Sequence, residues 1–224
     1  MVRKIIERNE GGCGRLLGLA IAVAVASTGL MAAGDALAQK ANLKVDWQDP
    51  EIKKYMDELR NNPGAAARAA AIDPRMVKLK LPVIGLGGAP SGAQSFGVSA
   101  LPKPTVIMDE SNPVWYSLTY EFGPDFKVTI EADQQVQHKL GPSTRLYKTD
   151  KGVDPDTEVS VYDDTSEVGM IGAIAQFKTY RFGNIPYTVT VECSEKSKAL
   201  CKDKDALRKD RRLLKIISAR PPSP

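Results

Sequence analysis

The chain has 224 residues, 42% hydrophobic and 26% charged, the composition of a folded protein rather than of a disordered or collagen-like one. Its 31 Lys and Arg against 27 Asp and Glu make too small an excess for a general polyanion binder, so nucleic acid is not an expected partner. One His and three Cys leave little material for metal or nucleophile chemistry, and no cofactor or metal site is expected.

The chain opens "MVRKIIERNEGGCGRLLGLAIAVAVASTGLMAAGDALAQK". Arg3, Lys4, Arg8 and Arg15 precede an apolar core from Leu16 to Ala26, and a small-residue stretch ends at Ala36-Leu37-Ala38. These are the three parts of a secretory signal peptide, with cleavage between Ala38 and Gln39. Cys13 lies before the apolar run, where a lipidated cysteine would have to follow it. The alternative keeps residues 16–34 as a membrane anchor, since no charge falls between Arg15 and Asp35. Removing residues 1–38 from 224 leaves 186. It takes four basic and three acidic residues from the 31 and 27, leaving 27 against 24, a net of +3.

Residues 39–84 read as a helical N-terminal region. Asp49 is a candidate N-cap and Pro50 suits the first helical position. Ile52, Tyr55, Met56 and Leu59 fall at i, i+3, i+4 and i+7, an apolar stripe to dock on the rest of the protein or on a partner helix. Asn61-Asn62-Pro63-Gly64 stops the helix, and the following AAARAAA run predicts a second, short one. Residues 85–104, rich in Gly, Ala, Ser and Pro, read as a flexible linker or long loop. Gly85-Leu86-Gly87-Gly88-Ala89-Pro90 ends in Pro where a dinucleotide fingerprint requires Gly, and no Gly-Lys-Ser/Thr follows.

From residue 105 to 220 the pattern predicts a sheet domain. "PVWYSLTYEF" (113–122) places Val114, Tyr116, Leu118, Tyr120 and Phe122 on one face and Trp115, Ser117, Thr119 and Glu121 on the other. "FKVTIEA" (126–132) alternates in the same way after a Gly-Pro-Asp turn, which reads as a β-hairpin. "AIAQFKTYRF" (173–182) and "IPYTVTVEC" (185–193) flank Gly183-Asn184, a two-residue loop able to supply positive φ angles. "TEVSVYDD" (157–164) and "TVIM" (105–108) are weaker strands. "CKDKDALRKDRRLLKIISAR" predicts one amphipathic helix, with Ala206, Leu207, Leu213, Leu214 and Ile217 on its apolar arc and Lys204, Arg208, Arg211 and Lys215 on a basic one. The fold class is therefore α+β: an antiparallel sheet of five or six strands backed by a C-terminal amphipathic helix, with helices N-terminal to the sheet.

Export leaves Cys193 and Cys201. An even count in an oxidising compartment predicts a disulfide, because the spacing is that of neither a zinc knuckle nor a thioredoxin motif. His138 is the single imidazole, and the nearest approach to a nucleophile elbow, Gly97-Val98-Ser99-Ala100-Leu101, lacks its final Gly. Asp150, Asp154, Asp156, Asp163 and Asp164 cluster without EF-hand spacing and read as turn chemistry rather than as a calcium loop. Trp115, on the polar face of its strand, is either covered by the N-terminal helix or an exposed contact. The basic arc Lys204, Arg208, Arg211 and Lys215 is either solvated or turned toward an anionic membrane surface or partner.

Residues 182–220, "FGNIPYTVTVECSEKSKALCKDKDALRKDRRLLKIISAR", resemble the tails of small exported bacterial proteins of unassigned function. Their order is similar to the end of PsbP/DcrB-like domains, where a last hairpin leads into a terminal helix on the sheet. That resemblance implies an accessory role in the cell envelope and carries no catalytic signature. The expectation is a periplasmic or secreted, non-enzymatic protein that binds an unknown protein or small ligand. The alternatives are a small periplasmic hydrolase using His138 and an inner-membrane-anchored envelope component that keeps residues 16–34.

Overall fold

Strict two-residue periodicity builds the main sheet. The computed structural model describes residues 41–62, 64, 72–136, 156–163 and 172–221, all within one compact unit, Leu37–Pro224. Numbered in chain order, its strands are β1 (Ala41–Asn42), β2 (Val83–Leu86), β3 (Thr105–Met108), β4 (Trp115–Glu121), β5 (Phe126–Asp133), β6 (Gln135–Val136), β7 (Ser160–Asp163), β8 (Ala173–Thr179), β9 (Tyr187–Cys193) and β10 (Leu214–Ser218). Six of them form an antiparallel sheet in the order β3-β4-β5-β9-β8-β7. The register sets Tyr116 against Ala132, Ile130 against Val189, and Val191 against Ala175, so one face is apolar throughout. The other face carries Thr119, Thr129, Thr190 and Gln176 side by side, with Thr119 Oγ1 and Thr129 Oγ1 3.3 Å apart and Gln176 Nε2 donating to Thr190 Oγ1 at 3.2 Å. This is the alternation of a sheet buried on one side only.

A second, two-stranded sheet of β2 and β10 contributes to the same core, with Val83, Ile84, Leu86, Leu214 and Ile216 all buried. Tyrosine hydroxyls of the larger sheet bond to backbone groups of β2 and the residue before it. Ile84 N donates to Tyr116 Oη at 2.8 Å, Leu86 N donates to Tyr120 Oη at 3.3 Å, and Tyr187 Oη donates to the Pro82 carbonyl at 3.0 Å. Burial raises all three phenols in pKa, that of Tyr120 to about 12.

Two expectations are corrected here. Gly85 and Leu86 do not open a linker: they end a fully buried strand, and Ala89, Pro90, Gly92 and Ala93 behind it are buried too. The C-terminal segment is not one helix. It divides into α3 (Lys198–Lys202), α4 (Lys204–Asp210), a 3-10 turn (Arg211–Leu213) and strand β10. Leu214 and Ile216 are buried and Lys215 is exposed, a period of two that overrides the helical arc. The helix backing the sheet is therefore the short α4, whose Leu207 is buried.

Helix α1 (Pro50–Asn61) starts where Asp49 accepts from Glu51 N at 2.9 Å, with Pro50 at the first position. Its Ile52 is buried, and Tyr55 Oη donates to the Ile217 carbonyl at 3.2 Å, so the apolar stripe docks on β10 within the same unit. It also seats on the turn between β8 and β9. That turn spans seven residues rather than two, because Phe182 and Ile185 fold inward and are buried. Gly183 and Asn184 still take positive φ, 82° and 60°. A Cβ on Gly183 would come within 2.9 Å of Ile52 Cδ1 and Val45 Cγ1. The short helix α2 (Ser91–Gln94) follows β2. Cys193 at the end of β9 and Cys201 in α3 are disulfide-bonded, with Cα atoms 6.0 Å apart, and both are buried. The AAARAAA run lies outside the described residues, as do Ala38, Gln39 and His138.

Candidate functional site

Residues 77–80, at the end of the segment that Asp73 opens, line one wall of an open amphipathic depression. Asp73 starts a 3-10 turn, Pro74–Lys78, by accepting from Arg75 N at 2.9 Å, and its carboxylate also grips the Arg75 guanidinium. Arg75 holds the Asp73 carboxyl below its ordinary value. The turn buries Met76 and leaves Val77 44% exposed; Leu79 is buried again and Lys80 is exposed. Lys80 N donates to the Pro113 carbonyl at 2.9 Å, which fixes the segment beside the start of β4.

The opposite wall is the strand-like segment after β1. Leu43 N donates to the Gln134 carbonyl at 2.7 Å, and Gln134 Nε2 donates back to the Leu43 carbonyl. Gln134 is buried, and its Oε1 has no hydrogen-bond partner among the described residues. Further on, Asp46 N donates to the Gly183 carbonyl at 2.9 Å. Between the walls lies a groove of about 700 Å³ that Arg220 and Pro221 complete. Val45, Trp47 and Val77 supply its apolar surface, over the buried Leu43 and Leu79; Lys44, Lys78, Lys80 and Arg220 supply its charge. No carboxylate lines it among the described residues. Lys78 is paired with Glu110 at 2.8 Å. The size lies within the range of small-molecule sites, and Lys44, Lys80 and Arg220, with no carboxylate among the described lining residues, are a local concentration in a chain whose predicted mature net charge is only +3.

The residues singled out from sequence do not assemble into a site of their own. Lys204 and Arg208 are exposed on α4, and Arg208 pairs with Glu158 at 2.7 Å and Asp205 at 3.1 Å. Arg211 is buried: its guanidinium lies 4.7 Å from the Phe177 ring centroid and donates to the Thr157 carbonyl. Lys215 stands on β10. The four basic residues therefore form no continuous stripe, because the helix that would align them ends at Asp210. Trp115 is half-buried at the start of β4, opposite Asp133. Of the acidic cluster, Asp163 pairs with Lys202 at 2.9 Å and Asp156 with Arg181 at 3.3 Å, while Asp150, Asp154 and Asp164 lie outside the described residues. No group of three or more metal-ligating side chains occurs among the described residues, and no helix among them is long and apolar enough to cross a membrane.

The groove was missed because its residues lie on four separated segments. Two local signals pointed to it: the alternation Leu43, Val45, Trp47 and the run Val77-Lys78-Leu79-Lys80, both of period two. No protein-family model matches the chain, and no curated protein or solved structure is significantly similar to it.

Proposed function

We propose that this is an exported, non-enzymatic accessory protein of the cell envelope that holds a small ligand or a partner's side chains in the groove between residues 43–47 and 77–80. The single observation that carries the reading is an open apolar surface, Trp47 and Val77 above all, set among four cations with no carboxylate among the described lining residues. The buried disulfide suits an oxidising compartment, and the signal-like residues 1–38 supply the route.

Native mass spectrometry on protein recovered from the exporting cell without reduction tests this. The expected mass is that of Gln39 to Pro224 less two hydrogens, plus a bound species that Val77→Asp removes. A bare mature chain that captures nothing overturns the binding role. A full-length mass overturns export with cleavage and favours the anchor.

A further inference from the structure

The groove's chemistry narrows what can occupy it. Its apolar surface suits a hydrocarbon part, and Lys44, Lys80 and Arg220, with no carboxylate among the described lining residues and with Lys78 already paired to Glu110, suit an anionic part. An extended peptide would need free backbone groups on which to add a strand. Several beside the apolar surface are already used: Leu43 N and O by Gln134, Leu79 N by the Met76 carbonyl at 3.2 Å, and Lys80 N by the Pro113 carbonyl. The described lining side chains offer methyls, one indole and ammonium or guanidinium groups. Lys44, Lys78 and Lys80 can lay their methylene stems along the same apolar surface while their heads stay in water.

We infer that the groove binds a free single-chain anionic amphiphile, of the class of a long-chain fatty carboxylate, with the chain against Val45, Trp47 and Val77 and the carboxylate among Lys44, Lys80 and Arg220. This rests on the ligand-holding role proposed above and names the ligand's class. The headgroup contacts are exposed charge pairs, so they set selectivity and salt dependence, whereas the chain sets most of the affinity. Nothing covalent happens to the ligand.

The chain has two tryptophans, so Trp115→Phe leaves Trp47 as the only indole reporter. In that protein, titration with sodium laurate below its micelle concentration shifts Trp47 emission saturably. Dodecyltrimethylammonium, with the same chain and the opposite charge, binds at least about tenfold more weakly. Lys44→Ala/Lys80→Ala/Arg220→Ala weakens laurate by about tenfold and removes most of its salt dependence. All three side chains are exposed, and circular dichroism checks that the variant is folded. Equal affinity for the two amphiphiles, or laurate binding unchanged in the triple variant, overturns the inference. Binding to anionic phosphatidylglycerol vesicles with no response to free laurate also overturns it, in favour of a membrane surface. A neutral or cationic species that co-purifies and is lost in Val77→Asp would sink the anionic class and leave the ligand-holding role standing. Absence of any bound species together with no laurate response sinks both.

Discussion

Gln134 holds Leu43 from two sides, its backbone carbonyl accepting from Leu43 N at 2.7 Å and its side-chain amide donating to the Leu43 carbonyl. Gln134 N in turn donates to the Val114 carbonyl at 2.9 Å, so the chain entering the groove is tied through one residue to the start of β4. Gln134→Leu keeps the bulk and the backbone bond but removes the side-chain donor. The buried Leu43 carbonyl then loses that partner, and the unpartnered Oε1 disappears with it, so the net cost is about 1 kcal/mol. The local effect exceeds the global one: amide hydrogen exchange over residues 43–47 accelerates while that of β5 and β9 does not. Uniform acceleration across the sheet would show that Gln134 is part of the global core instead.

Gly85 faces Tyr120 in the same way that a small residue admits a large one. A Cβ at residue 85 would lie 2.5 Å from Tyr120 Oη and 3.0 Å from Ile217 Cδ1. Gly85→Ala therefore forces β2 away from the sheet and destabilises by about 1–3 kcal/mol. Tyr120→Phe removes the obstructing oxygen and also the partner of Leu86 N, for about 1–3 kcal/mol of its own. Because the two changes share one contact, the double variant costs less than their sum by at least about 0.5 kcal/mol in urea denaturation. Strict additivity would mean that the close approach is relieved elsewhere.

The strands of the main sheet were legible because alternation runs over seven or eight residues in β5, β8 and β9, and in β4 apart from the buried Ser117. Four-residue β2 was not. Val83-Ile84-Gly85-Leu86 is buried on both sides, so it has no polar phase to reveal a strand, and the glycines after it resemble a linker. The end of the chain misled for the opposite reason. Leu213, Leu214 and Ile217 satisfy a helical wheel as well as a strand, and only burial separates the two. The same ambiguity hid the position of Arg211, which a helix would expose and the 3-10 turn places on Phe177. The two short alternations 43–47 and 77–80 mark the groove's walls, but their meeting does not show in local pattern, since Trp47, Val77 and Arg220 come together only in the folded chain.

The Cys193–Cys201 bond closes a loop short enough that its loss costs about 2–3 kcal/mol in the chain-entropy model. Both cysteines are at most 1% exposed, so a reductant must wait for the structure to open. Dithiothreitol alone is expected to leave the thiol count at zero over an hour, while the same reductant in denaturing urea liberates two thiols per mature chain. Cys193→Ala/Cys201→Ala lowers the urea midpoint without changing the hydrogen-bonded register of β9. Rapid reduction of the native protein would place the bond in a segment that opens locally.

Asp210 gives the fold a pH dependence whose sign is opposite to that of an ordinary surface ion pair. Burial raises its pKa, against the bonds it accepts from Ser91 N and from Ser91 Oγ at 2.7 Å, and the charge of Asp203 adds to the rise. Burial raises Asp49 likewise. The unfolded chain therefore gives up these protons first, near pH 4 or about 3.9 for a free aspartate, and the folded chain holds them to higher pH. In that window the folded state binds more protons, so this contribution to stability is complete below about pH 4 and is lost as pH rises through the folded pKa. Asp73, lowered by Arg75, and Asp163, lowered by Lys202, act in the other sense and lose their contribution as pH falls. Asp210→Asn separates the two, since its amide oxygen still accepts from Ser91 but cannot titrate. In urea denaturation from about pH 4 to about pH 6, the stability of the wild type relative to this variant is expected to decline steadily and then level. Parallel curves would show that Ser91 fully compensates the burial of the carboxylate.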